Sequence, residues 1–133
     1  MGYRWKGRWT GINVFPITCF TPGLKVDYEA QRPLFRHLVN SGVSGMGVNG
    51  HTGEGEALTI EEQKNIIKIV QEEVKGRIPI CTGIHAHNYE QGIEVAKEME
   101  KTGVDLIMIL APSLYNYDAR ENPEYGIEYH KAI

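Results

Sequence analysis

The chain has 133 residues, of which 41% are hydrophobic and 23% charged, with a formal net charge of −3. That composition suits one soluble globular domain, and with no basic cluster it argues against a nucleic-acid partner. The longest apolar run, Leu106 to Pro112, is far short of the roughly 20 residues that cross a bilayer, so no membrane association is expected.

The N-terminal stretch from Met1 to Trp9 carries positive charge but no apolar core after it, so it does not read as a signal peptide. Cys19 and Cys81 both lie in apolar runs and read as two buried, reduced thiols, which favours a cytoplasmic location.

The first strand signal is Ile12-Asn13-Val14-Phe15-Pro16-Ile17-Thr18. A helix follows Asp27, a good N-cap, with Leu34, Phe35, Leu38 and Val39 on one stripe before Gly42. Gly45-Met46-Gly47-Val48 is the second strand. After a glycine-rich stretch, Thr59-Ile60-Glu61-Glu62 has capping-box spacing and opens a helix that buries Ile66, Ile67, Val70 and Val74 before Gly76. Ile78 to Thr82 is the third strand, with Pro79 early in the run, where a missing N–H is tolerated.

Asn88-Tyr89-Glu90-Gln91 repeats the capping-box spacing and opens a third helix, with Ile93, Ala96 and Met99 inward before Gly103. Leu106 to Leu110 is the fourth strand, and a fourth helix begins near Asn122-Pro123-Glu124 and runs through Tyr129. Ser41-Gly42-Val43 and Thr102-Gly103-Val104 form a quasi-repeat, each a helix end passing into a strand.

These strands are short continuous apolar runs, as expected of parallel strands covered on both faces. The order βαβαβαβα implies a parallel sheet with right-handed crossovers. A (β/α)8 barrel of about 250 residues has the same unit length, so residues 1–133 amount to about four βα units. The last residues read as the middle of a helix without a C-cap, so the chain is expected to be a partial domain that stops partway.

In parallel α/β folds ligands meet the loops at the carboxyl ends of the strands. Here those loops are Thr18 to Pro22, Asn49 to Glu54, Gly83 to Asn88 and Ala111 to Tyr117, all richer in Gly, hydroxyl, His and Tyr than the opposite ends. In Gly50-His51-Thr52-Gly53-Glu54, Thr52 can offer its hydroxyl and backbone N–H to a carboxylate. The competing reading is a plain turn, with Gly50 and Gly53 at positive φ and Thr52 bonded to its own backbone.

Tyr115 and Tyr117 follow the fourth strand, where a phenol can shuttle a proton or simply pack its ring. Glu54 and Glu56 read as loop or helix-entry carboxylates. His51, His85 and His87 could hold a divalent metal for a hydrolase, but no acidic residue at a fixed spacing completes the set, and no metal is expected. His37 and His130 fall in helices and read as structural. Lys64, Lys68, Lys75, Lys97, Lys101 and Lys131 fall in helices or at their ends, with Lys25 in a loop and Lys6 near the terminus. None sits in an apolar strand, where desolvation would make a nucleophilic amine.

Several segments together resemble the dihydrodipicolinate synthase and N-acetylneuraminate lyase family. Phe15-Pro16-Ile17-Thr18 with Thr21-Pro22 and Asp27 is similar to its opening P-x-x-T-P-F…D pattern. Gly50-His51-Thr52-Gly53-Glu54 followed by Leu58-Thr59-x-x-Glu62 resembles its G-T-T-G-E…L-s-x-E-E signature. Ile78 to Gly83 is similar to its third strand, and Leu110-Ala111-Pro112 with Tyr115-Asn116 to its v-x-P-Y-Y-N segment.

The resemblance implies the N-terminal half of a TIM barrel and Schiff-base lyase chemistry on pyruvate or another 2-keto acid, in a homo-oligomer and without a cofactor. It further implies that Thr52 binds the carboxylate, with His51, Gly50 and Gly53 beside it. Tyr115 would be a relay tyrosine, and Tyr89 a looser match to a relay tyrosine supplied across an interface.

Three departures stand out. His51 replaces the first hydroxyl of the usual pair. Pro112-Ser113-Leu114-Tyr115 replaces Pro-Tyr-Tyr, which puts Leu114 in the relay position unless one residue is inserted. The imine-forming lysine belongs to a sixth strand, so this chain alone is expected not to form the covalent intermediate. A non-catalytic half-barrel that assembles through its open strand edges is the alternative from a different class.

Overall fold

A computed structural model describes residue 7, residues 9–112 and residues 122–133. Its strands are β1 (Asn13–Val14), β2 (Gly45–Val48), β3 (Ile80–Ile84) and β4 (Leu106–Ile109), and its helices α1 (Tyr28–Asn40), α2 (Ile60–Val74), α3 (Tyr89–Glu100) and α4 (Pro123–Ala132). The strands form one sheet in the order β1-β2-β3-β4, with every neighbouring pair parallel. This is the repeated βα unit of a barrel wall, as the strand and helix periods require.

The register sorts the strand side chains onto two faces. Met46 pairs with Ile80 and Val48 with Thr82, which pairs in turn with Ile107, on the face that meets the helices. Gly47, Cys81 and Leu106 share the opposite face, and the Phe15 ring lies where a Cβ on Gly47 would be. The core between sheet and helices holds Phe35, Met46, Ile66, Ile67, Val70, Val74, Ile84 and Met99, all essentially without solvent contact.

Each helix start has a local cause. The Asp27 carboxylate accepts from Ala30 N at 2.9 Å and caps α1. The Thr59–Glu62 capping box forms in full: Glu62 N donates to the Thr59 hydroxyl, and Thr59 N donates to the Glu62 carboxylate. At α3 the box is displaced. Asn88 accepts from Gln91 N, but the Gln91 side chain accepts from His87 N, one residue earlier than the spacing predicts. Arg36 grips Glu73 through two hydrogen bonds and Arg32 bonds Glu72, tying α1 to α2 on the surface.

The structure differs from the sequence-based reading in strand bounds, in buried positions and in one short turn. The first strand is predicted over residues 12–18, but its ladder covers only Asn13–Val14, because Pro16 has no donor and the backbone of Ile17 and Cys19 beyond it bonds the Gln31 side chain. The third is displaced two residues onward, to Ile80–Ile84, starting after Pro79. On α1, Gln31 takes a buried place and Leu34 and Leu38 are only half-buried, because Gln31 clamps the preceding loop. On α3, Val95 is buried and Ile93 half-buried. A short 3-10 turn at Gly55–Ala57 has no counterpart in the sequence-based reading.

Among the described residues, no helix is long and apolar enough to cross a membrane. Cys19 and Cys81 are free thiols, Cys81 buried and Cys19 half-buried. Burial pushes the Cys81 thiol up to about 11, so it stays protonated and packs as an apolar group.

Candidate active-site face

The loops that leave the carboxyl ends of the strands are tied to one another by buried polar side chains. Thr18, 7% exposed, donates from its hydroxyl to the Gly53 carbonyl at 2.6 Å, joining the loop after β1 to the loop after β2. Gln31 reaches back from α1, donating to the Ile17 carbonyl and accepting from Cys19 N at 2.8 Å. The loop after β1 is thus held from both sides.

Asn49 is the pivot of the loop after β2. It is 1% exposed and left-handed, with φ +55°, a conformation asparagine tolerates better than most residues. Its amide Nδ2 donates to the Gln63 carbonyl at 3.2 Å and to the Thr82 hydroxyl at 3.1 Å, linking the loop to α2 and β3. Gln63 Nε2 donates in turn to the carbonyls of Gly55 and Leu58. Because a carbonyl oxygen only accepts, His85 Nε2, 3.0 Å from the Asn49 carbonyl, carries the hydrogen.

The glycines here work by absence of bulk. A Cβ on Gly55 or on Gly83 would run into the Asn49 carbonyl. A Cβ on Gly53 would stand 3.2 Å from the Pro16 carbonyl, and one on Gly50 3.3 Å from Met108 Cε. Neither Gly50 nor Gly53 has positive φ; Asn49 and Glu54 adopt it on either side of them. That corrects the turn reading, in which those two glycines supply the left-handed conformation. Its other half fails too, since the Thr52 hydroxyl has no hydrogen-bond partner among the described residues.

Between these anchors the tip projects to solvent. His51 and Thr52 are both exposed. Within the loop, Glu54 N donates to the His51 carbonyl and Gly55 N to the Gly50 carbonyl, while the N–H groups of Thr52 and Gly53 donate to no backbone carbonyl among the described residues. The exposed Thr52, with its hydroxyl and its N–H both without a hydrogen-bond partner among the described residues, can bind an anion from a rigid base.

The histidines do not converge on a metal position. The rings of His51 and His85 meet edge to face, with centroids 5.1 Å apart, but among the described residues no group of three His, Cys, Asp or Glu side chains could hold a metal ion. Burial is the main influence on His85 and lowers its pKa below the ordinary value, with His51 acting in the same direction and the Asn49 carbonyl and Glu56 opposing.

Tyr89 opens α3 with its ring against Tyr125 and Tyr129 of α4, 5.5 Å from each centroid. Tyr115, Tyr117, Ser113 and Leu114 lie outside the described residues. None of β1 to β4 contains a lysine, and Lys64, Lys101 and Lys131 are engaged with Glu98, Glu98 and Glu128.

Sequence reasoning missed Asn49, Gln63, Thr82 and Thr18 as the supports of this loop. The Asn49-Gly50 dipeptide directly after a strand was the one signal for a left-handed turn there. The buried glutamines carried no signal, since each looks like a polar residue on a helix surface.

Four parallel strands with a helix after each, and a loop cluster at their carboxyl ends, define this molecule as part of a (β/α)8 barrel with its candidate site on the face where such barrels bind ligands. More particularly, the chain belongs to the dihydrodipicolinate synthetase family, whose model matches residues 8–133.

Similar proteins include the 4-hydroxy-tetrahydrodipicolinate synthase of Oceanobacillus iheyensis, 36% identical over 106 residues, a match covering 80% of this chain and 36% of that protein. The corresponding synthase of Nitratidesulfovibrio vulgaris is 31% identical over 118 residues, covering 89% of this chain and 38% of the relative. Among solved structures, a dihydrodipicolinate synthase of Bacillus anthracis superposes with a TM-score of 0.79 at 29% identity, over 92% of this chain and 41% of that one. YagE of E. coli K12, a prophage protein of the dihydrodipicolinic acid synthase family solved in complex with pyruvate, gives 0.78 at 25% identity over 96% and 43%. The chain thus spans little more than a third of the length of these curated relatives.

Proposed function

We propose that this chain is the carboxylate-binding portion of a pyruvate-dependent, Schiff-base carbon–carbon lyase or aldolase, acting on pyruvate or another 2-keto acid. The observation that carries the reading is the loop tip: an exposed Thr52 whose hydroxyl and N–H have no hydrogen-bond partner among the described residues, on a base held by Thr18, Asn49 and His85. The pyruvate complex of YagE, a relative by fold and sequence, supports the same ligand class here.

In this reading Thr52 binds the carboxylate through its hydroxyl and amide, the buried Gly50 and Gly53 flank it in the binding loop, and His51 offers a second donor where the family pattern has a hydroxyl. Tyr115 serves as a proton relay. Tyr89 serves as a second relay group contributed within a homo-oligomer. The imine-forming lysine is supplied by a later strand, so residues 1–133 bind the keto acid without reacting with it. The thiols remain reduced in the cytoplasm.

The test has two parts. Borohydride added with pyruvate is expected to leave the intact mass unchanged, and a stoichiometric adduct on any lysine would refute the division of roles. In 1H–15N spectra, pyruvate is expected to shift the Thr52 and Gly53 amides, and Thr52→Val to abolish that response. An unaltered response in Thr52→Val would remove Thr52 from the site.

A second reading rests on the sheet edges. Leu106 and Ile107 on β4 are each 38% exposed, and Ile12 and Ile17 beside β1 are 72% and 59% exposed. Open apolar edges of this kind are normally covered, so assembly of half-barrels through them is the alternative role. Light scattering decides: a concentration-independent monomer with one cooperative melt would rule out a required partner.

A further inference from the structure

We infer that His85 is a positioning residue for the Asn49–Glu54 loop, acting through the carbonyl of Asn49 to aim Thr52. This rests on the reading of Thr52 as a carboxylate donor, but the geometry stands without it.

His85 directly follows β3, so its Cα is fixed by the sheet, and its half-buried ring reaches across to the next strand's loop. The Asn49 carbonyl it meets belongs to the peptide plane shared with Gly50. Fixing that oxygen at 3.0 Å fixes the plane from which Gly50, His51 and Thr52 continue. The surroundings are shaped for this carbonyl, since Gly55 and Gly83 lack the Cβ that would displace it. Asn49 cannot turn away to compensate, because its own amide is held by Gln63 and Thr82.

The same imidazole also supports the tip, its ring meeting that of His51 at an interplanar angle of 78°. One side chain therefore contacts both the base and the exposed end of the loop. Among the residues around its cavity, Gln63 and Leu58 already serve the helix entry, and His85 is the titratable group bonded to the loop backbone.

The experiment uses the full 133-residue chain. Long-range 1H–15N spectra of the wild type report the ring protonation of His85, and the geometry requires hydrogen on Nε2; an Nδ1–H neutral ring would overturn the inference without any variant. His85→Leu is expected to shift the Gly50, Thr52 and Gly53 amides while those of α1 and β4 stay in place. His85→Gln, which carries an N–H able to reach the same carbonyl, is expected to restore them.

Pyruvate binding, read at the Thr52 amide, is expected to weaken about five-fold in His85→Leu and to recover in His85→Gln, as loss and return of one hydrogen bond imply. Loop amides unmoved in His85→Leu, or no recovery in His85→Gln, would overturn the positioning role. Loop amides that move in His85→Leu and return in His85→Gln, together with a wild type that shows no response to pyruvate, would sustain the positioning role and refute the carboxylate reading instead.

Discussion

The hydroxyl of Thr18 donates to the carbonyl of Gly53 across 2.6 Å, with both residues buried, so the loops after the first two strands form one unit. Thr18→Val keeps the shape but leaves that buried acceptor without its donor. The expected cost is about 1–3 kcal/mol in urea unfolding, with Thr18→Ser losing less. Equal stability of the Thr18→Val variant and the wild type would show that the loops do not depend on each other.

Gly83 and Gly126 should respond to alanine in opposite directions. At Gly83 a methyl group collides with the Asn49 carbonyl, so Gly83→Ala is expected to cost about 1–3 kcal/mol or more and to disturb the Thr52 amide. At Gly126, inside α4, no atom of the described residues outside the helix's own backbone lies within 4 Å of the new Cβ, so Gly126→Ala is expected to gain about 0.5–1 kcal/mol. Paired chemical denaturation curves check both signs.

Removing the cap of α2 gives a third measurement. Thr59→Ala takes away the acceptor for Glu62 N and the partner of the Glu62 carboxylate, at an expected cost of about 0.5–2 kcal/mol. The Glu62 carboxyl is held below the usual range first by the Thr59 backbone N–H, which alanine keeps, and second by the Thr59 hydroxyl, which alanine lacks. Thr59→Ala should therefore raise that pKa, as carboxyl 13C titration would reveal.

The pH dependence follows from His85. Its folded pKa lies below the ordinary 6.5, so the folded state binds fewer protons than the unfolded chain through that region. Its contribution is fully present above about 6.5 and is lost as pH falls through the lowered folded value. His51 and Glu56 face the ring from the adjoining loop and 3-10 turn, and His87 and Glu94 line the same cavity. Urea midpoints measured from neutral to mildly acid pH are expected to fall in the wild type and to flatten in His85→Gln. An equally steep fall in the variant would assign the titration to another group. Below 4.5, the lowered pKa values of Glu62, Glu73 and Glu98 add a separate acid loss as those carboxylates are protonated.

The architecture was readable because periodicity and caps agree: Asp27, Thr59 and Asn88 each start a helix where the side-chain chemistry demands. The Gly50–Glu54 stretch was readable as a loop at a strand's carboxyl end because glycines bracket His51 and Thr52, and the structure leaves both exposed. What could not be read was which residues hold that tip still. Asn49, Gln63 and Gln31 are polar residues buried by contacts from distant elements, and neither period nor spacing encodes those contacts. The role of the glycines was likewise misassigned, because a sequence shows that a side chain is missing without showing whether backbone angle or crowding requires it. Neither Gly50 nor Gly53 uses a positive φ, and at Gly53 the near atom is the backbone carbonyl of Pro16.

The fixed amide of Asn49 also bears on how the molecule ages. An asparagine followed by glycine is the pair most open to deamidation, in which the Gly50 backbone nitrogen attacks the side-chain carbonyl carbon and ammonia leaves through a succinimide. In the fold that side chain is 1% exposed, and its nitrogen is committed to Gln63 and Thr82. Chemical durability at the base of the loop is thus a property of the native state. Chain held in denaturant is expected to accumulate aspartate and isoaspartate at position 49 by peptide mapping, while folded protein kept equally long does not.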